Sequence, residues 1–368
     1  MESLYIHIPF CDKVCTYCDF AKEIGSKAKH DAYIDALIKE ITTHKSRFKA
    51  LKTIFIGGGT PSILSIANLE KLGRTLKRYI SLENIEEFTM ECNPNDLSLE
   101  KLKTIHSIGV NRLSLGVQTF HDNALKFLNR SHQTADVFNV FNHLKMVQFD
   151  SVSVDMLFGL PGQTLDDLHH DLKTLLRLNP DHISYYNLIV EEQTRLYHLV
   201  NKGDVTLPDD DLEATMFETI IHTLRENNYS HYEISNFGKS SHQGYHNVLI
   251  WRDGDYLGLG VGAHSKYDST RYFNPLRIKH YLDNMQHKNI PNKTTYAYEP
   301  MRDFMLNGLR LLKGINVETF QKRFNQDVFD VYPTFERMID EGFLTYKDSY
   351  LALSHKGLMY GNAIFSML

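Results

Sequence analysis

Six short apolar segments, each followed by a helical pattern, limit this chain to very few architectures. They are Leu4–Pro9, Thr53–Ile56, Glu87–Glu91, Asn111–Val117, Ser151–Leu157 and His182–Ile189. Leu4, Ile6 and Ile8 alternate with Tyr5 and His7, and Val152 and Val154 alternate with Ser151, Ser153 and Asp155. A period of two marks strands. Between them, Tyr33, Leu37 and Ile41 share a helical face, as do Ile66, Leu69, Leu72, Leu76 and Ile80. Leu97 to Ile108, Asp136 to Met146 and Leu165 to Leu178 continue the series, with Ser98 as a helix start and Asn179-Pro180 as a helix stop. Strand–helix repetition of this kind means parallel strands joined by right-handed crossovers.

The polar residues choose between an open sheet and a barrel. Each strand ends in a polar or glycine-rich signature. A cysteine-bearing loop follows the first, Gly57-Gly58-Gly59-Thr60-Pro61 the second, and Glu91-Cys92-Asn93-Pro94 the third. Gly116-Val117-Gln118 ends the fourth, and Asp155 leads into Gly159-Leu160-Pro161-Gly162-Gln163 on the fifth. A barrel gathers all such ends around one mouth, whereas an open sheet focuses ligands at a single switch point. The expectation is an α/β fold: a partial TIM-type (βα)6 barrel with one site at its top.

The barrel is expected over residues 1–235, a Gly/His-rich connecting region over 236–290 and a mainly helical domain over 291–368. That last part shows helical patterns at Met301–Leu312, Val317–Phe324 and Val331–Glu341. A hairpin pattern, Phe343–Tyr346 with Tyr350–Leu353, and a final helix follow. The arrangement is winged-helix-like, but nine basic and nine acidic residues from Pro291 onward give no cationic footprint. With a net charge of -5 for the whole chain, no nucleic-acid partner is expected. No run of about 18 apolar residues spans a membrane. Transient association with a membrane surface stays open. The beginning, Met1-Glu2-Ser3-Leu4-Tyr5, has no basic region leading into an apolar one, so a cytoplasmic location is expected.

Three of the four cysteines, Cys11, Cys15 and Cys18, fall within eight residues. An odd number in a cysteine-poor chain argues against disulfides. Zinc would need a fourth ligand, for which His7 or His30 is available. A cubane iron–sulfur cluster ordinarily takes four cysteines, so three would leave one iron open to another ligand. Both metal readings stand at this point. Cys92, on a strand, reads as a small buried apolar residue.

Cys11-x3-Cys15-x2-Cys18, with Tyr17 before the last cysteine, resembles the signature of the radical S-adenosylmethionine (SAM) superfamily. The resemblance narrows to the group containing oxygen-independent coproporphyrinogen III dehydrogenases (HemN) and the related HemW-type heme chaperones. It is carried by Tyr5-Ile6-His7-Ile8-Pro9-Phe10-Cys11, Gly57–Pro61, Arg112-Leu113-Ser114-Leu115-Gly116-Val117-Gln118 and Asp155-x3-Gly159-Leu160-Pro161-Gly162-Gln163-Thr164. It implies a [4Fe-4S] cluster on Cys11, Cys15 and Cys18, with SAM chelating the fourth iron and cleaved reductively to a 5'-deoxyadenosyl radical. For SAM it implies contacts from main-chain groups of Gly58, Gly59 and Thr60, and from Glu91, Gln118, Asp155, Arg130 and Tyr5. No catalytic residue is singled out.

Two features lean away from the dehydrogenase and toward the chaperone. The dehydrogenase motif continues with a cysteine two residues after the third, where this chain has Phe20, and only ten residues precede Cys11. Resemblance to the chaperones implies heme as ligand and hemoproteins as acceptors. Coproporphyrinogen dehydrogenase activity is the alternative and is not expected. His246-Asn247-Val248-Leu249-Ile250-Trp251 is similar to the chaperones' His-Asn-x-x-Tyr-Trp, with Ile250 in place of the tyrosine. His246 is therefore the expected heme ligand, Trp251 its flat apolar neighbour, and His242 and His264 secondary candidates. Gly258-x-Gly260-x-Gly262 is read as close packing, since a dinucleotide loop would need a different context.

Overall fold

The six alternating segments become six parallel strands, β1 (Ser3–Ile8), β2 (Thr53–Gly58), β3 (Glu87–Cys92), β4 (Arg112–Gln118), β5 (Ser151–Phe158) and β6 (His182–Asn187). The structure is a computed structural model and describes all 368 residues. The crossovers carry α1 (Lys27–His44), α2 (Ile66–Tyr79), α3 (Leu99–Ser107), α4 (Asp122–Phe127), α5 (Thr134–Leu144) and α6 (Leu165–Leu178). Ser98 caps α3 by accepting from the Lys101 N–H, and Asn179 ends α6 in the left-handed conformation. The sequence pattern did not reveal α4, because six residues are too few to display a helical period.

After the barrel come α7 (Arg195–Asn201), α8 (Asp210–Glu226), β7 (Ser230–Glu233), β8 (Asn236–Gly238) and α9 (Tyr245–Trp251). Then follow β9 (Tyr256–Leu259), β10 (His264–Tyr267), β11 (Thr270–Phe273), α10 (Ile278–His287) and β12 (Thr294–Tyr296). All twelve strands join one sheet in the order β12-β11-β10-β9-β1-β2-β3-β4-β5-β6-β8-β7, so the barrel strands form its middle and the sheet does not close. Strand β9 runs parallel to β1, while the outer strands on both flanks are antiparallel.

The main core lies between sheet and helices. Leu4, Ile6 and Ile8 turn outward and are fully buried with Tyr33, Leu37 and Ile41 of α1. Each such aliphatic side chain contributes roughly 1.5–3 kcal/mol. The inward positions are polar instead, among them Thr89, Arg112, Ser114, Ser153, Asp155, His182 and Ser184. TIM-type interiors are ordinarily filled by branched apolar side chains. Here a cavity of about 300 Å3 remains between the polar ones.

The C-terminal part has its own apolar core around Phe304, Phe320, Phe335 and Leu351. It contains α11 (Pro300–Gly308), β13 (Ile315–Asn316), α12 (Val317–Phe324), α13 (Val328–Val331), α14 (Thr334–Asp340), β14 (Leu344–Lys347), β15 (Tyr350–Leu353), α15 (His355–Met359) and α16 (Gly361–Ser366). The hairpin joins β13 in a three-stranded sheet, β13-β15-β14. The single helix expected over Val331–Glu341 is two, because Pro333 supplies no N–H to carry a helix through. The expected final helix is likewise split, at Tyr360.

Candidate functional site

The loop between β1 and α1 folds over the carboxyl ends of the barrel strands, and outside contacts fix it. The Cys11 N–H donates to the Glu23 carbonyl, the Glu23 N–H to Pro9, and the Thr16 N–H to Leu128 at the end of α4. Asn129 Nδ2 donates to the Val14 carbonyl at 2.8 Å. Cys11, Cys15 and Cys18 thereby line one cavity of about 450 Å3, together with Gly58, Gly59, Thr60, Glu91, Gln118, Arg130 and Asp155. The structure brings together every residue of the expected cluster and SAM set except Tyr5.

The glycines explain how two loops approach so closely. A Cβ at Gly59 would stand 2.6 Å from the Phe10 carbonyl oxygen and 2.9 Å from Cys11 Sγ. Gly58, at φ +119°, has a conformation that side chains rarely adopt, and a Cβ there would strike the His7 ring at 2.6 Å. The N–H groups of this turn are already engaged: Gly58 with Glu91 Oε2 at 3.0 Å, Gly59 with the Ile8 carbonyl and Thr60 with the Phe10 carbonyl.

Burial, followed by the neighbouring Asp155 charge, pushes the Glu91 carboxyl up to about 8, against the stabilising Gly58 N–H. Burial also raises Asp155, opposed by its hydrogen bonds from Ser114 and Ser184. Gln118 ends β4 at φ +71°, just past a register shift between Gly116 and Gln118. That irregularity turns its side chain to the cavity; β-bulges often re-aim a side chain this way.

Arg130 is placed by a Schellman turn at the end of α4. Asn129 is left-handed, its N–H bonds to Lys126, and the Arg130 N–H reaches back to Leu125. The guanidinium donates to the Gly116 carbonyl at 2.8 Å, to Asn93 Oδ1 and to Cys15 Sγ at 3.4 Å, while its buried Nε has no partner. Asn93, Ser114 and Tyr186 also belong to this cavity and were not anticipated. Strand parity could have found Ser114 and Tyr186. Asn93 carries no signal beyond its strand-end position.

Burial is the main cause that raises the Cys11 thiol to about 11, and it raises Cys18 as well. No three His, Cys, Asp or Glu side chains converge closely enough to hold a single metal ion. The three thiols line one cavity rather than converging on a point. His7 is committed elsewhere, with Nδ1 against the Tyr5 hydroxyl at 3.0 Å and Nε2 against the Ala21 carbonyl at 2.8 Å. His30 packs on Phe10, 4.1 Å between ring centroids, and does not line the cavity.

Tyr5 lines the smaller polar cavity, which shares Glu91, Ser114, Asp155 and Tyr186 with the larger one. His246 lines that smaller cavity too, at its base, with its Nε2 buried and unpartnered. Its Nδ1 bonds Thr53 Oγ1 at 2.8 Å, at the first residue of β2. The N–H groups of Tyr245 and His246 both donate to Glu87, the first residue of β3. The ring is 2% exposed and stacks near Phe55. Strands of six residues put this point roughly 20 Å from the cysteine end.

The Trp251 indole donates to Glu233 Oε2, and the Arg310 guanidinium lies over its ring. His242 is held at the same end by its own turn, Nδ1 against the Ser240 carbonyl. The Gly258–Gly262 run does serve close packing, since a Cβ at Gly258 would lie 2.0 Å from the His264 carbonyl oxygen.

Residues 5–175 match the family model of the Radical SAM superfamily, and residues 297–360 match that of the HemN C-terminal domain. The chain is 39% identical to the heme chaperone HemW of Bacillus subtilis, covering 99% of this chain and 98% of that one. It is 32% identical to HemW of Escherichia coli over 99% and 97% of the two chains. Among solved structures, coproporphyrinogen III oxidase (HemN) from Escherichia coli, described as a radical SAM enzyme, superposes with a TM-score of 0.83. That superposition covers 99% of this chain and 89% of the other at 23% identity, a likeness of fold.

Proposed function

The chain belongs to the radical SAM superfamily and, within it, to the family of the heme chaperones HemW, and on that footing we propose that it takes up heme and passes it to acceptor hemoproteins. In this reading Cys11, Cys15 and Cys18 hold a [4Fe-4S] cluster, and the same cavity takes SAM. The observation that carries it is three thiols spread around one cavity that also holds Glu91, Gln118, Arg130 and Asp155, in a chain alike to HemW from end to end.

A cluster held by three thiolates supplies one-electron chemistry at an iron with a free position. The chain's own part is to bind and orient. Arg130 offers its charge and its unpartnered Nε to a carboxylate, while keeping Cys15 in place. Glu91 and Asp155 offer acceptors to the ligand's ammonium and ribose hydroxyls, and Gln118 adds an amide. Because the turn's N–H groups are engaged, an ammonium would meet carbonyl oxygens at Gly58 and Gly59. Tyr5 lies below the thiols and shapes the cavity through His7.

Phe20, 64% exposed, lines the cavity where the dehydrogenases continue with a further cysteine, so porphyrinogen decarboxylation is not part of the proposal. No helix is long and apolar enough to cross a membrane; the cytoplasm is the proposed site of action.

Anaerobic titration of heme into cluster-reconstituted protein, with and without SAM, tests the reading by absorbance. A shifted, saturable Soret band and transfer to an apo-hemoprotein are expected. Protein that carries its cluster but takes up no heme would sink it.

A further inference from the structure

Hydrogen bonds to the sulfurs help set the reduction potential of an iron–sulfur cluster, and one buried hydroxyl here has a cysteine sulfur as its hydrogen-bond partner. We propose that the Thr60 hydroxyl donates to the Cys11 sulfur and so raises the cluster's reduction potential, which makes Thr60 a positioning residue acting through Cys11. The inference rests on the [4Fe-4S] cluster proposed above and adds the side chain that tunes it.

Thr60 ends the glycine turn after β2 and faces Cys11, on the loop after β1. Its Oγ1 lies 3.6 Å from Cys11 Sγ, and both residues are buried in the wall of the cysteine cavity. The backbone fixes this pairing. The Thr60 N–H donates to the Phe10 carbonyl at 2.7 Å, one residue before Cys11, and the Thr60 carbonyl accepts from the Ile63 N–H at 3.0 Å. Pro61 keeps the residue before it out of the helical region, and Thr60 accordingly has φ -149° and ψ 88°.

A thiolate bound to iron carries no proton, so in this contact the sulfur accepts and the hydroxyl donates. An added electron increases the negative charge that the sulfurs share. A donor hydrogen bond therefore favours the reduced cluster, and burial strengthens the effect by keeping water away.

The other two cysteines are placed differently. Cys15 Sγ meets Arg130 Nη1 at 3.4 Å, but Arg130 also has a ligand carboxylate to bind in the reading above. Beside Cys18, Lys22 Nζ donates to the main-chain carbonyl. Thr60 is thus the donor whose contact stays the same whether or not SAM is seated.

The test is an anaerobic redox titration of the full chain with its cluster reconstituted. Titanium(III) citrate supplies the electron, and electron paramagnetic resonance reads the reduced cluster in wild type, Thr60→Val, Thr60→Ala and Thr60→Ser. Thr60→Val keeps the shape and removes the hydroxyl. We expect it to shift the one-electron equilibrium roughly tenfold toward the oxidised cluster, a potential about 59 mV more negative. The shift should be equal with and without SAM, at unchanged iron and sulfide content. Thr60→Ala, which leaves no methyl against the sulfur, should show the same shift, and Thr60→Ser should restore the wild-type potential. A wild-type potential in cluster-loaded Thr60→Val or Thr60→Ala, or a shift seen only with SAM, overturns the assignment while leaving the cluster in place. So does loss of the cluster from both, which would make the hydroxyl a brace for the loop. Wild type that assembles no iron–sulfur cluster removes the inference and the cluster reading together.

Discussion

Glu91 shows how a single side chain ties stability to ligand. Its folded pKa of about 8 lies above the ordinary 4.5, so the fold favours the neutral acid. The stability associated with this group is complete below about 4.5 and is lost as pH climbs through about 8. A cationic ligand favours the carboxylate and reverses that trend. SAM affinity should therefore rise between about pH 6 and 9, and Glu91→Gln should flatten the profile while weakening binding several-fold. Isothermal titration across that range decides it, and a pH-independent wild type would refute the placement. Much at this scale was legible: the strand-end positions of Glu91, Gln118 and Asp155 follow from parity and pattern. Arg130 was not, because a Schellman turn after a six-residue helix aims it, and only the family resemblance pointed there.

Helix α9 shows what an element contributes beyond its length. Its seven residues cannot hold a helix in water alone. The Glu87 carboxylate takes the N–H groups of Tyr245 and His246, and Thr53 takes the His246 ring, so the helix stoppers the barrel's base. Glu87→Ala would leave two buried N–H groups and the Arg112 charge without their partner. A loss of about 2–4 kcal/mol is expected, measurable by urea denaturation, with cluster content per folded molecule unchanged. The sequence exposed the His-Asn motif but could not say which end of the barrel it meets. That is decided by a contact between Thr53 and His246, 193 residues apart. A period of two or 3.6 reports only neighbours along one element.

At the scale of the whole molecule, Asp253 joins the sheet's outer flank to the C-terminal part. Its carboxylate, 1% exposed, meets Lys266 of β10 and lies 2.6 Å from Arg323 Nη2 of α12. Lys266 is itself 2% exposed, so removing the acid strands a buried cation. Asp253→Ala should cost about 3–5 kcal/mol and separate one calorimetric transition into two. A single unshifted transition would show that the two parts are coupled elsewhere, for instance through the Ile234–Arg310 and Leu312–Tyr232 backbone bonds. The alternation of strands and helices announced the barrel. This joint was invisible, because its three charged residues look like ordinary surface charges until the chain brings them together.

The stopper at the barrel's base has a further consequence. It shuts one end of the polar interior, so that end is no route for a ligand. With α9 bonded across that base, a cluster and a nucleoside held as proposed would be reached past the cysteine loop.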